Sequence, residues 1–245
     1  MNWWESEFAA FDLETTGTDL EEARIVTSCV AWIRGDGTVR DAWSALVNPG
    51  IEIPTSASDV HGFTTELAEA GLDPQDALPG IVNALSDALG MGIPVVAFNA
   101  RYDFTILDRD CRRNDVQTLS SRTANVVRPI LDPFVLDKAV DKYRKGRRTL
   151  STMSELYGVE LTNAHDATAD AIAAAQVARV IIRQYKGLQM PAEQLHKAQE
   201  VWARQQAVSL ERYFREKDGN PDIVLDKAWP IVPTEEALTD PEVPA

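Results

Sequence analysis

The sequence predicts an α/β fold in which a mixed five-stranded sheet is flanked by helices and followed by a C-terminal helical extension. Three observations predict this class. The first fifty residues contain three apolar, strand-like runs. Two shorter apolar runs in the middle of the chain are each followed by a helical pattern. The last third of the chain has long helical patterns and no clear strand.

The first three strands are expected near the N-terminus. The first begins with the run "FAAF" at residues 8–11, the second covers 24–33 and the third covers 39–47. The turn "RGDGT" between the second and third contains two glycines and an aspartate, which is typical of a hairpin. We therefore expect this part of the sheet to be antiparallel.

Helices alternate with short strands through the middle of the chain. The apolar stretches 94–99 and 128–132 are expected to be short buried strands. Caps and apolar residues at helical spacing predict helices over 64–71, 77–90, 101–114, 133–143, 149–157 and 166–186.

The C-terminal part differs in composition from the rest. A further helix is predicted over 192–217, and 218–245 is acidic and contains five prolines. We expect this tail to be mobile, apart from the apolar stretch 223–233, which can dock on the body of the protein. The predicted organisation is one domain over 1–187, followed by an extension over 188–245.

Bulk composition limits the classes of function. The net charge of −14 argues against a protein that coats nucleic acid non-specifically, but it permits binding at one small site. Two distant cysteines form neither a zinc motif nor a disulfide framework. The chain starts without a signal-peptide pattern and has no run of about 18 apolar residues. We expect a cytoplasmic protein.

Two carboxylates follow the first apolar run. In "FAAFDLETTG", Asp12 and Glu14 are two residues apart, so an extended strand places them on the same face. Two such groups repel each other or take up a proton unless a cation lies between them. The alternative is that the strand has ended and that a polar loop turns at Gly17.

Two further acids and a histidine occupy similar positions. Asp103 lies in the first turn after the strand 94–99, and Asp170 lies one turn into an alanine-rich helix that His165 precedes. The alternative is that both acids only stabilise helix N-termini and that the histidine is a surface residue. Together, four carboxylates suit Mg²⁺ or Mn²⁺, and paired ions of this kind hydrolyse phosphodiesters.

Three segments containing these residues resemble a known family. "FDLETTG", "FNARYD" and "HDATAD" are similar, in this order, to the three motifs of the DEDDh, or DnaQ-like, exonucleases, and the resemblance runs from about residue 7 to 183. It implies a ribonuclease H-like fold. It also implies 3′-to-5′ exonuclease activity that releases nucleoside 5′-monophosphates from single-stranded or frayed DNA, in proofreading or repair.

The resemblance also implies roles for the acidic residues and the histidine. Asp12 would bridge two Mg²⁺ or Mn²⁺ ions, Glu14 and Asp170 would complete one ion site, and Asp103 would support the second. His165 would be the general base, a role that suits an imidazole because imidazole groups titrate near neutral pH.

Other segments resemble the substrate contacts of the family. Phe98 replaces a histidine that is frequent in the family, which puts one supporting contact in doubt. A basic run before the third motif is expected to contact backbone phosphates, although it could also be a solvated loop. The expected substrate residues are Thr15, Thr16, His61, Gly62, Phe63, Asn99, Arg147 and Arg148.

Three other functions compete with a DNA exonuclease. His165 and Asp166 form the dipeptide of HD-type phosphohydrolases, but that reading leaves Asp12, Glu14 and Asp103 unexplained. An RNA-directed enzyme similar to oligoribonuclease or RNase T would have the same catalytic motifs. A polymerase-binding module would use the 192–217 helix as its contact. The length beyond residue 190 favours similarity to the epsilon-type proofreading subunits, and hence DNA.

Overall fold

The computed structural model describes residues 2–161 and 165–234, and the sheet in it has the predicted class. Its strand order is β3-β2-β1-β4-β5, with β1, β2 and β3 antiparallel and with β4 and β5 parallel to β1. This confirms a mixed five-stranded sheet. The strands are β1 (Phe8–Thr15), β2 (Ile25–Ile33), β3 (Val39–Leu46), β4 (Val95–Val96) and β5 (Ile130–Leu131).

Helices flank this sheet in the described residues. They are α1 (Thr55–His61), α2 (Thr65–Ala68), α3 (Pro74–Gly90), α4 (Ala100–Arg113), α5 (Leu119–Arg122), α6 (Pro133–Val140), α7 (Leu150–Tyr157), α8 (Ala167–Gln184) and α9 (Ala192–Lys217).

The predicted helix boundaries were wrong at two places before α4. The helix predicted over 64–71 is only the single turn of α2, because Gly71 packs against the backbone directly after β3, where an added Cβ would lie 2.8 Å from the Val47 carbonyl carbon. The helix predicted from residue 77 begins at Pro74, because the Asp73 side chain accepts a hydrogen bond from the Gln75 amide. Helix α1 was not predicted, since its sequence is largely polar.

The strands predicted over 94–99 and 128–132 are shorter than expected. Each contributes two residues to the sheet. The chain leaves β4 early because Asn99 adopts a left-handed conformation with φ 58° and the next residue starts α4. The amides of Asn99 and Ala100 do not pair with a neighbouring strand. They donate to the Asp132 carboxylate instead. The early end of β4 brings the start of α4 close to β1.

Alternate residues of β1 pack on opposite sides of the sheet. Phe11 contacts Phe104 of α4 with ring centroids 5.3 Å apart, in the core that includes α3. Phe8 and Ala10 belong to the other core, which is formed with the small buried residues of α8. The centre of the sheet is therefore covered on both faces, as the alanine-rich sequence of α8 predicts.

The apolar C-terminal stretch docks on the body of the protein, as predicted. The Trp229 ring packs 5.1 Å from the His196 ring of α9, and the Val232 amide donates to Thr105 Oγ1 at 3.0 Å. The rest of the predicted mobile tail, 235–245, lies outside the described residues. No helix in the described part of the chain is long and apolar enough to cross a membrane. The domain division at residue 187 stays a prediction.

Candidate active site

The structure brings the four predicted carboxylates together at one end of β1. Burial raises the pKa of Asp12 well above its ordinary value, and the negative charges of Asp103, Asp170 and Glu14 raise it further. Burial also raises the pKa of Glu14, to about 8, with Asp170 contributing next. These shifts describe a buried cluster of acids that repel one another.

A backbone contact holds Asp103 in this cluster. The Leu13 amide, between Asp12 and Glu14 on β1, donates to Asp103 Oδ1 at 3.1 Å. Asp103 is buried in the first turn of α4. One carboxylate oxygen is thus tied to the strand, and the acidic residues of β1 and α4 keep a fixed separation.

His165 and Asp170 complete the cluster from the start of α8. One ligand atom each from Glu14, His165 and Asp170 lie within 4.8 Å of one another. His165 is exposed and has a left-handed backbone with φ 70°, and its amide donates to Asp170 Oδ2 at 3.2 Å. The histidine ring and the Asp170 carboxylate therefore lie next to each other.

The donor set fits a divalent cation. Among the described residues, the buried Asp170 Oδ1 has no hydrogen-bond partner, although a buried carboxylate oxygen normally has one. Glu14 and His165 supply the neighbouring ligand atoms, and carboxylate oxygens are the ligands that hard divalent ions prefer. The cluster is therefore an acidic candidate metal site.

Two residues at the site were not predicted to take part in it. Asp132 accepts hydrogen bonds from the Asn99 and Ala100 amides, each at 3.0 Å, and burial raises its pKa to about 6. It thereby holds the turn that presents Asp103. The available signal was an acidic residue at the end of a buried strand, the same signal that had identified Asp12.

Tyr102 is the second residue that was missed. Its hydroxyl hydrogen-bonds to Thr15 Oγ1 and donates to the Gly17 carbonyl oxygen, so it links α4 to the end of β1. Burial raises its pKa to about 12. Its place in "FNARYD", one residue before Asp103, was the signal. It lines a cavity of about 720 Å³ together with Leu13, Glu14, Thr15, Gly17, Thr18, Ser56, Ala57, Val60, His61 and Asn99.

The predicted substrate residues divide into two groups by position. Thr15, His61 and Asn99 line this cavity. The hydroxyl of Thr16 instead accepts a hydrogen bond from the Arg24 amide at 3.0 Å, which joins β1 to the start of β2.

The segment around His61 forms a compact turn. Gly62 ends α1 with φ 79°, and His61 Nδ1 accepts a hydrogen bond from the Phe63 amide at 3.1 Å. The Phe63 ring stands 5.8 Å from the His61 ring. Burial lowers the pKa of His61, so this imidazole favours the neutral form.

The two predicted arginines have different environments. Arg148 lines a second cavity of about 360 Å³ with Asp12 and Asp103, but its Nε donates to the buried Asp137 carboxylate at 2.6 Å. Arg147 is exposed to solvent. Arg148 therefore occupies the edge of the cleft as half of an ion pair, which the local sequence pattern did not predict.

The raised pKa of Glu14 predicts how stability depends on pH without metal. In the unfolded chain Glu14 loses its proton near its ordinary pKa of 4.5, whereas in the folded protein it keeps the proton up to about pH 8. The folded state then binds more protons, so the melting temperature should fall as pH rises from about 5 to 8 in chelator. Added Mg²⁺ should raise it most at the upper end of that range.

Thermal denaturation at several pH values, with and without chelator, measures this dependence. The Glu14→Gln variant is the matched control and should show a shallower fall in melting temperature between pH 5 and 8. A wild-type melting temperature that rises steadily with pH in chelator would contradict the electrostatic description of the cluster.

Comparison with known proteins agrees with this geometry. A family model, RNase_T, described as "Exonuclease", matches residues 9–178. The chain is 29% identical over 173 residues to a DNA polymerase III of PolC type from Thermotoga maritima. The alignment covers 71% of this chain and 12% of that protein. It is 22% identical over 181 residues to the 3′-5′ exonuclease DinG of Staphylococcus aureus, covering 74% of this chain and 19% of that protein.

The chain thus spans less than a fifth of the length of these curated relatives. Among solved structures, E. coli Exonuclease I in complex with a dT13 oligonucleotide aligns with a TM-score of 0.62 at 20% identity. The alignment covers 75% of this chain and 42% of that one. This likeness shows the fold, a five-stranded mixed sheet with flanking helices.

Proposed function

This chain belongs to the RNase_T family of exonucleases, and we propose that it removes nucleoside 5′-monophosphates from the 3′ ends of single-stranded or frayed DNA. The observation that carries this proposal is the convergence of Asp12, Glu14, Asp103 and Asp170, with His165 beside them, at one end of β1. We further propose that residues 1–187 carry the activity and that 188–245 form an extension.

Four carboxylates would hold two divalent ions, and we propose Mg²⁺ or Mn²⁺. The charges of Asp103, Asp170 and Glu14 all act on Asp12, so this carboxylate would contact both ions. Glu14 and Asp170 would complete one ion site, and Asp103 would support the other. When bound, the ions polarise the phosphate and stabilise charge on the leaving 3′ oxygen.

His165 is the proposed general base. Its ring is exposed at the mouth of the cluster, so it can accept a proton from the attacking water and pass it to solvent. Its amide is tied to Asp170, which keeps the ring next to the acids. The left-handed backbone at this residue turns the chain into α8 and fixes that arrangement.

The cavity beside Glu14 is the proposed site of the terminal nucleotide. Its volume of about 720 Å³ falls within the usual range for small-molecule sites. His61 lines this cavity with its Nδ1 bound to the Phe63 amide, and we propose that its ring contacts the terminal nucleotide. Asn99, Thr15 and Tyr102 line the cavity around it, and Phe63 is placed beside His61 to stack on the base.

The relatives support DNA as the substrate. The PolC-type relatives are named as DNA polymerases, and the Exonuclease I structure was determined with a DNA oligonucleotide. We propose that the chain can also associate with a DNA polymerase, by analogy with the PolC-type relatives. Two buried free thiols, Cys29 and Cys111, are consistent with a reducing compartment, and we place the protein in the cytoplasm.

Digestion of matched oligonucleotides tests the proposed function. In Mg²⁺, a 5′-labelled single-stranded DNA should be shortened one nucleotide at a time from its 3′ end, faster than a blunt duplex or the same RNA sequence. A 3′ phosphate should block the reaction, because the cavity would hold a free hydroxyl beside Glu14. Excess chelator should abolish it, since the acids alone repel the substrate.

A closed single-stranded circle is the matched control, because it has the same chemistry but no end. Purified protein that cuts the circle would contradict an exonuclease. Equal or faster digestion of RNA would replace DNA by RNA as the preferred substrate.

A further inference from the structure

A second groove lies beside the catalytic cleft, between α6 and α9. Its volume is about 370 Å³, and it is lined by Lys138, Ala139, Lys142, Trp202, Gln205, Gln206, Ser209, Leu210 and Tyr213. We call it the α6–α9 groove. Six of these nine residues belong to α9, beyond residue 178, where the family model ends, so membership of the family does not account for the groove.

Lys138 joins this groove to the catalytic cleft. Its Nζ lies 4.8 Å from the centroid of the Phe134 ring, one turn earlier on α6. Phe134 in turn lines the small cavity that also contains Asp12 and Asp103. A ligand that enters the cleft past Phe134 can therefore continue along α6 toward Lys142.

The charge along this route is opposite to that of the whole protein. Residues 138–148, "KAVDKYRKGRR", contain six basic side chains and one acid, in a chain with a net charge of −14. Arg144 and Arg148 are paired with the buried Asp137. In the described part of the chain, neither Lys138 nor Lys142 forms an ion pair with a carboxylate, so their amino groups are available to a ligand.

Aromatic rings accompany these lysines. Tyr213 of α9 is 56% exposed at the groove, and Trp202 lies half-buried in its wall. Tyr143 is 86% exposed, and the Lys142 Nζ lies 5.7 Å from its ring centroid. Exposed aromatic rings that alternate with unpaired cations are the combination that binds flexible single strands, because bases stack on the rings and phosphates contact the cations.

We propose that the α6–α9 groove binds the single strand on the 5′ side of the nucleotide being removed. This proposal rests on the proposed exonuclease function, and it names a substrate site outside the family motifs. Lys138 and Lys142 contact successive phosphates, and Tyr213 stacks on a base. The groove thereby makes turnover depend on the length of the strand beyond the nucleotides that the catalytic cleft itself holds.

The test compares substrate lengths in variants of the groove. The full chain would be assayed in Mg²⁺ on single-stranded DNA of about 3 and about 12 nucleotides. Lys142→Glu and Tyr213→Ala should each lower kcat/KM on the longer substrate by about tenfold, since stacking on one base or contact with one phosphate is lost. Their kcat/KM on the short substrate should stay within about twofold of wild type.

Lys197→Glu is the matched control, because it reverses the charge of an exposed lysine on α9 that is not part of the groove. It should behave as wild type on both substrates. If wild type degrades neither substrate, the proposed function fails. If wild type degrades both and the groove variants keep the wild-type length dependence, the groove does not bind the strand, and a protein partner becomes its better occupant.

Discussion

Asp12→Asn is expected to lower kcat by about a thousandfold or more while the protein remains folded. The proposed ions supply several kcal/mol of charge stabilisation in the transition state, and this carboxylate would bridge both of them. In chelator, the variant should melt at a higher temperature than wild type near pH 8. The reason is that the substitution removes one of several carboxylates that repel one another. Initial rates in saturating Mg²⁺ and thermal denaturation measure the two effects.

Asp41→Asn is the matched control for this variant. It removes the same charge from β3, where Asp41 is exposed, opposite Trp32 of β2. It should change neither the rate nor the response to Mg²⁺. If the Asp12→Asn protein kept more than about a tenth of wild-type activity, the Asp12 carboxylate would not have the proposed role in the reaction.

His165→Gln should lower kcat by roughly a hundredfold to ten-thousandfold, the usual contribution of a general base. Glutamine keeps the approximate size and polarity of histidine but cannot take up a proton at neutral pH. Because glutamine cannot accept the proton of the attacking water, the pH profile of kcat should differ between the variant and the wild type. Rates measured from pH 5.5 to 8.5 at saturating Mg²⁺ test both expectations.

The same variant distinguishes a base from a metal ligand. If His165 is only the base, His165→Gln should keep the wild-type increase in melting temperature on addition of Mg²⁺, whereas Asp12→Asn should lose most of it. Loss of that increase in the histidine variant would make His165 a ligand. An unchanged pH profile of kcat would mean that another group removes the proton.

Much of the fold was predictable because its signals are local. The two-residue spacing of Asp12 and Glu14 on a strand places them on one face, and a helix directly after a buried strand places Asp103 at the same edge of the sheet. The small residues of α8 predicted the close contact with β1. The roles of these side chains remain predictions, which the variants above are designed to test.

What the sequence did not predict depends on pairing between distant residues. The sequence around Arg148 indicates a free cation. Its ion pair with Asp137 is visible only in the folded chain. Asp132 reads as a helix cap, and its contact with the Asn99 amide joins segments 33 residues apart. Helix α1 carries few apolar residues, so its periodicity is weak and does not predict the helix that ends at His61.

The position of β1 has a consequence for how this protein tolerates its own acidic cluster. β1 lies between β2 and β4 in the middle of the sheet, and its neighbouring residues are buried on both faces. Strands in such positions do not fray, and their amides exchange with solvent only through opening of the whole domain. A local movement of the backbone therefore cannot separate Asp12 from Glu14 and reduce the repulsion between them. Proton uptake remains as the way to relieve this repulsion, so the fold couples the stability of the protein to pH.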